Sequence, residues 1–213
     1  MDNRRRNAGS TCVALVGEEV TEKEWDKLLR IKTTGRDDSN SDQYRYPYEP
    51  TPYEVLERLA NSDYIGKENT LIDYGCGKGR VSFFLSCQCR CNCIGVEYDE
   101  RIYESVVKNR ESSVSGSRVE LVHTKAEEYE ISSSADRFYF FNPFSVEILK
   151  KVMARIRENY DGREMLLFFY YPSDEYVAWL MTVIDVMFID EIDCRDLFEG
   201  DNPRERILVF EMM

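Results

Sequence analysis

Between Leu71 and Leu85 the chain reads LIDYGCGKGRVSFFL, an apolar run that ends on Asp73 and opens into Gly75, Gly77 and Gly79, spaced two apart, before a helical pattern begins. Glycine at alternate positions leaves bare backbone for close approach. The carboxylate of Asp73 beside it sets the sign of what can approach. A dinucleotide loop G-x-G-x-x-G needs a glycine where Arg80 stands. A phosphate loop G-x-x-x-x-G-K-[ST] fails at Ile72 and Gly79. The loop therefore suits an uncharged or cationic ligand, since Asp73 repels a pyrophosphate. A second carboxylate, Glu97, closes the next apolar run, CIGVEYD. Farther on, FYFFNPF places Asn142, Pro143 and Phe144 at the end of another.

The elements that hold these groups follow from periodicity. TEKEWDKLLRI starts with a capping-box pattern from Thr21 to Glu24 and predicts a helix from Glu22, and PYEVLERLANS predicts a second from about Pro52. Apolar runs then alternate with helical patterns. NTLIDYG, CIGVEYD, VELVHT, DRFYFFN and EMLLFFYYP read as strands. KGRVSFFLS, DERIYESVVKNRES and SVEILKKVMARIREN read as helices between them, with AEEYE as a weak connector. The last two runs, MFIDEIDCRD and RERILVFEMM, have no helix between them and are expected to pair antiparallel. The expected fold is α/β, a doubly wound, mostly parallel seven-stranded sheet with an antiparallel C-terminal hairpin, plus N-terminal helices. Residues 1–20 are expected to be a flexible tail. Residues 21–213 are expected to form one domain, with 21–66 as its helical lid segment.

Asp73 with the alternate glycines resembles motif I of the class I S-adenosylmethionine-dependent methyltransferases, and the resemblance runs from near Thr70 to the end of the chain. It implies S-adenosyl-L-methionine as cofactor. The loop Gly75, Cys76, Gly77 and Gly79 would wrap its methionine part, with Asp73 acting toward the amino group and sulfonium. Glu97 would bind both ribose hydroxyls, each bond contributing roughly 1.5–3 kcal/mol, and Tyr98 would pack on the adenine. The alternative for Glu97 is a solvated strand end. Where the family carries an acid after the third strand this chain has Lys125, so Glu127 or a main-chain group beside Ala126 would take over adenine recognition.

Asn142-Pro143-Phe144 resembles the [DNS]-P-P-[YF] signature of methyltransferases acting on nitrogen, with one proline missing and the aromatic residue a position early. The resemblance implies that an amide oxygen and a carbonyl beside proline orient an acceptor amine under an aromatic ring. Such alignment can supply roughly 7–11 kcal/mol of a barrier without a strong base. The bland alternative is a terminator of a buried strand. In YRYPYEPTPY, Tyr44, Tyr46, Tyr48 and Tyr53 either face a cation, with Tyr46 and Tyr48 reaching over the cofactor, or pack the first helices onto the sheet.

Charge and cysteine content limit partners. Against 28 Lys and Arg stand 40 Asp and Glu, a net charge of −12, which disfavours nucleic acid; the expected acceptor is a protein side chain or a small molecule. No apolar run is long enough to span a membrane, and a cytoplasmic location is expected. Seven cysteines are read as reduced thiols with no disulfide. The cluster CQCRCNC, Cys87 to Cys93, lacks zinc spacing, since alternate sulfurs on an extended strand spread about 6–7 Å apart. No metal site is expected. His123, the one histidine, is read as a strand-end filler. Two competing functions remain: a protein that binds the cofactor without transferring its methyl group, and a nicotinamide oxidoreductase, against which Arg80 speaks.

Overall fold

The computed structural model describes residues 20–35 and 49–213. The tail expected over residues 1–20 lies outside them except for Val20, and so do Tyr44, Tyr46 and Tyr48.

The chain enters as α1 (Glu22–Leu29) and α2 (Tyr53–Ala60). The capping box at α1 is formed as its sequence pattern indicates: Thr21 Oγ accepts from the Glu24 N–H, and the Glu24 carboxylate accepts from the Thr21 N–H at 2.9 Å. The alternating series follows as β1 (Thr70–Tyr74), α3 (Arg80–Gln88), β2 (Asn92–Glu97), α4 (Glu100–Ser112), β3 (Val119–His123), β4 (Arg137–Phe140), α5 (Val146–Glu158) and β5 (Leu166–Tyr170). The series ends with α6 (Asp174–Leu180), β6 (Val186–Asp193) and β7 (Arg206–Met212). The AEEYE connector is a single 3₁₀ turn, Ala126–Glu128. Sequence periodicity alone does not reveal α6, a helix of seven residues capped by Ser173, whose side chain accepts from the Tyr176 N–H.

The seven strands run β3-β2-β1-β4-β5-β7-β6. The first five pair parallel, and β7 enters antiparallel between β5 and β6, which makes the C-terminal hairpin. Alternation along β1 explains the two cores. Leu71 faces one side with Phe83 and Phe84 of α3, Leu56 of α2 and Trp25 of α1. Ile72 faces the other with Leu149 and Val152 of α5 and Tyr176 of α6. Continuous burial over all five residues of β1 and of β5 is the mark of strands covered on both faces.

The order has one consequence for function. The chain runs from β1 outward through β2 to β3 and then crosses back to β4 on the other side of β1, so the carboxyl ends of β1 and its neighbors bound a crevice at a topological switch point. Among the described residues no helix is long and apolar enough to cross a membrane.

The cysteines correct one expectation. Cys87 is disulfide-bonded, whereas reduced thiols are expected throughout. Cys76, Cys89, Cys91, Cys93 and Cys194 are free. The Cys91 and Cys93 sulfurs lie 3.7 Å apart, closer than strand spacing allows, because Cys91 precedes β2 and is not extended within it.

Candidate active site

Asp73 is the fourth residue of β1, and its register beside Gly95 of β2 and Tyr139 of β4 puts it at the center of the sheet's carboxyl edge. It is 2% exposed, and its Oδ2 accepts a 2.8 Å hydrogen bond from Ser82 Oγ of α3. Burial pushes its pKa up to about 7, with the Ser82 bonds opposing and the charge of Glu97 adding to the rise. Without a ligand the carboxyl thus titrates near neutrality.

The loop that follows is held open by its glycines. Gly75 and Gly77 have φ of +72° and +56°, and the Gly75 and Cys76 N–H groups both donate to the Val96 carbonyl, at 2.9 and 3.1 Å. Cys76 is buried, and burial among the two carboxylates raises its thiol well above the usual range, so it is an inert wall group. Gly79 has a different task. It caps α3 with φ +85°, and a Cβ there would lie 2.5 Å from the Phe83 ring and 2.6 Å from Val106. It does not line the crevice; it allows α3 to pack against α4.

Glu97 is 5% exposed, so it is no solvated strand end. Its Oε2 accepts from the Gly77 N–H at 3.0 Å, and its Oε1 accepts from the Tyr98 and Asp99 N–H groups at 2.9 Å each. The carboxylate therefore fastens the glycine loop to the end of β2. Burial raises its pKa, and these three backbone bonds oppose the rise. A carboxylate offers about four lone-pair positions. Three are filled within the chain, which leaves one directed acceptor position for a hydroxyl. Two residues on, Asp99 is 4% exposed and caps α4, its Oδ1 accepting from the Arg101 and Ile102 N–H groups. It lines the same crevice. Glu97 and Asp99 together suit a ribose diol better than Glu97 alone.

The rim beyond β3 is built by Thr124, Ala126 and Glu127, with Tyr98 and Ile102 opposite. Lys125 turns away to pair with Glu128 at 2.9 Å. His123 Nε2 donates to the Tyr98 carbonyl at 3.0 Å and its ring stacks on Tyr103 with centroids 4.7 Å apart, a role in holding the strand end.

The β4 end contributes Tyr139, Phe141, Asn142, Pro143 and Phe144. Asn142 has φ +39°, and its side chain is engaged in the β5–α6 loop: Nδ2 donates to the Tyr171 carbonyl and Oδ1 accepts from the Ser173 N–H at 3.0 Å. Phe144 is 4% exposed, its ring edge-on to Phe140 and its carbonyl receiving the Tyr176 hydroxyl. Phe141, half-buried against Tyr170 and Tyr171, is the more accessible ring of the crevice.

A last wall comes from the N-terminal segment and from Arg80. Glu49, Pro50 and Thr51 line the crevice, and Thr51 Oγ lies 3.0 Å from the Tyr139 hydroxyl. The Arg80 guanidinium, 2% exposed, donates through Nε to Thr33 Oγ at 2.8 Å and through Nη1 to the Thr51 carbonyl at 3.1 Å and to Glu22. It lies 4.3 Å over the Tyr53 ring. Tyr53 itself is 1% exposed and stacked on Trp25, so this tyrosine packs the first helices onto the sheet. Sequence patterns point to Asp73, the loop and Glu97. They do not single out Thr51, Asp99, Tyr139, Phe141 or the inward face of Arg80. Of these, only Asp99 carries a local signal, as the capping residue of a helix.

No family model and no curated protein sequence matches the chain. Solved structures do. The "putative methyltransferase yhhF" of Escherichia coli is similar with a TM-score of 0.61 and 15% identity, over 84% of this chain and 98% of that one. TYW2 of P. horikoshii, crystallized with MeSAdo, is similar with a TM-score of 0.55 and 15% identity over 77% of this chain, which spans 62% of TYW2's length. An RNA methyltransferase of Salinibacter ruber, in complex with S-adenosyl-L-homocysteine, is similar with a TM-score of 0.50 and 19% identity, over 77% and 92% of the two chains. With the strand order, the crossover at β1 and the reversed β7, these likenesses establish that the chain has the Rossmann-like fold of the class I methyltransferases.

Proposed function

We propose that the crevice binds S-adenosyl-L-methionine and that the chain transfers a methyl group from it to a nitrogen of a protein side chain or small molecule. The carrying observation is the pair of buried carboxylates, Asp73 and Glu97, at adjacent strand ends on either side of a loop with no side chain at Gly75 and Gly77. The residues fit the group in three respects. Five acids line the crevice, namely Glu49, Asp73, Glu97, Asp99 and Glu127, which favors a cationic ligand. Glu97 and Asp99 supply acceptors for a diol. The side-chain-free backbone at Gly75 and Gly77 lines the crevice beside Asp73.

When bound, the cofactor would supply a methyl group on a positively charged sulfur, already activated for transfer. The residues here would supply position. Asp73 would hold an ammonium, and the loop would exclude water from one side. Phe141 and Tyr139 would form an aromatic wall for the acceptor, and the carbonyl groups around Pro143 would orient an amine. Asn142 enters this scheme as a positioning residue, because both ends of its amide already brace the β5–α6 loop. That bracing also favors a second reading, a protein that binds the cofactor without transferring its methyl group, since the side chain best placed to orient an amine is engaged elsewhere.

Incubation of the full chain with methyl-labelled S-adenosylmethionine and a fractionated lysate tests the proposal. Label in protein or small-molecule fractions is the expected result. Label in RNA would reassign the acceptor, and calorimetric binding without any label would support the second reading. Absence of binding would overturn the cofactor assignment.

A further inference from the structure

Arg80 is placed against the electrostatics of its surroundings. Among the described residues lining the crevice it is the single cation, set against five carboxylates. A guanidinium carries five N–H donors. Nε and Nη1 account for three of them through Thr33, Thr51 and Glu22. Nη2 is buried and has no hydrogen-bond partner. A buried charged donor left unpaired is unfavorable, and native chains rarely retain one without a ligand or solvent partner.

The guanidinium is also rigidly held. The Thr33 hydroxyl that receives Nε donates in turn to Asp26 at 2.6 Å, and the Tyr53 ring lies beneath the guanidinium. Three bonds and a ring contact fix the plane of the fork, so the two Nη2 protons keep a set direction. Arg80 follows Gly79 at the start of α3, directly beyond the loop, while Asp73 lies at the end of the strand before it.

We propose that Arg80 is the residue of this site that recognizes a carboxylate, the one at the amino-acid end of an S-adenosyl ligand. The inference rests on the cofactor reading above and adds a division of labor to it. A zwitterionic end presents an ammonium and a carboxylate. Asp73 suits the first, and Arg80 alone among the lining groups suits the second. Nη2 keeps its protons unpaired on a guanidinium locked in place, so it offers a carboxylate a charge-assisted hydrogen bond of set direction, which the rotating ammonium of a lysine does not reproduce. The bonds to Glu22 and Thr51 give Arg80 a clamping role as well, tying α1 and the 49–53 segment to α3, so the test must separate recognition from folding.

Calorimetry on the full chain supplies that separation, with three probes: S-adenosylhomocysteine, its decarboxylated analogue, and 5′-methylthioadenosine, which lacks the amino-acid end. The wild-type chain is expected to bind S-adenosylhomocysteine at least about tenfold more tightly than the decarboxylated compound, as a charge-assisted pair implies. Arg80→Lys and Arg80→Gln should reduce that preference to within about twofold while affinity for methylthioadenosine holds. Wild-type chain binding the carboxylated and decarboxylated compounds alike would overturn the assignment, whether or not either variant folds. Variants that lose affinity for all three compounds in proportion would overturn it too, leaving Arg80 only its clamping role. A chain that binds methylthioadenosine but gains nothing from the carboxylate removes this assignment alone; one that binds none of the three removes the cofactor reading with it.

Discussion

Gly75 and Pro143 meet across the crevice so closely that a Cβ on the glycine would lie 2.6 Å from the Cβ of the proline. The loop after β1 and the loop after β4 therefore touch at Gly75, where there is no side chain, and the proposed cofactor and acceptor regions share a wall. The contact also shows why the first glycine of the pattern must be bare: its immediate neighbor is protein.

Gly75→Ala should consequently damage both regions at once. The alanine must adopt φ near +72° and push Pro143 away, costing about 1–3 kcal/mol of stability. Affinity for S-adenosylhomocysteine should fall as well, because the displaced loop carries the Gly77 N–H that Glu97 holds. Urea melts and calorimetry on the same variant check the two effects.

Gly79→Ala offers the contrast. Its added methyl would strike Phe83 and Val106 beneath α3, away from the crevice. Stability should drop by a similar amount, about 1–3 kcal/mol, while the folded fraction keeps its affinity to within a few-fold. Equal loss of affinity in both glycine variants would show that Gly79 shapes the ligand site directly.

Asp73 sets two opposite pH dependences. Its pKa is raised from 3.8 to about 7 on folding, so its contribution to stability is fully present below 3.8 and is lost as pH rises through about 7. Thermal melts of the ligand-free chain should accordingly show a falling contribution across that window, removed in Asp73→Asn. Binding of a ligand ammonium requires the ionized form. Affinity for S-adenosylhomocysteine should therefore weaken by up to about tenfold per pH unit below 7 in the wild-type chain, with a much shallower slope in Asp73→Asn. Calorimetry between pH 5.5 and 8.5 measures it.

Asn142→Ala removes the amide that joins the β4 end to the β5–α6 loop; it leaves the Ser173 N–H without this partner and the Tyr171 carbonyl with only its 3.2 Å bond from Arg204. A loss of about 1–3 kcal/mol is expected. Asn142→Asp should rescue little, since it keeps the acceptor for Ser173 but sets a carboxylate against the Tyr171 carbonyl. If the alanine variant melts like the wild-type chain yet loses turnover, Asn142 acts on the acceptor and not on the loop.

Local features of the chain carried most of the sheet. Leu71 to Tyr74, Cys93 to Glu97 and Leu166 to Tyr170 are short, mostly apolar runs between helical patterns, and burial on both faces leaves no polar alternation to obscure them. The hairpin of β6 and β7 was legible because no helical pattern separates the two runs. The helix α6 was not, because seven residues make too few turns for a periodic signal, and its cap Ser173 sits in a stretch that also reads as loop. Cys87 marks another limit, as a disulfide depends on where chain segments meet in space and not on cysteine count.

By itself the sequence determined the loop: Asp73 and glycines at alternate positions dictate bare backbone beside a negative charge, and Glu97 follows at the end of the next strand, all within one β-α-β unit where spacing fixes placement. The tertiary structure alone decided which side chains turn inward. Arg80 meets Glu22, Thr33 and Thr51 from positions 58, 47 and 29 residues earlier, and Asn142 is drawn to a loop about 30 residues later. The physical reason is that hydrogen bonds of buried side chains are satisfied by whatever the packed sheet brings near, and sequence separations of that length leave no local periodicity to announce it.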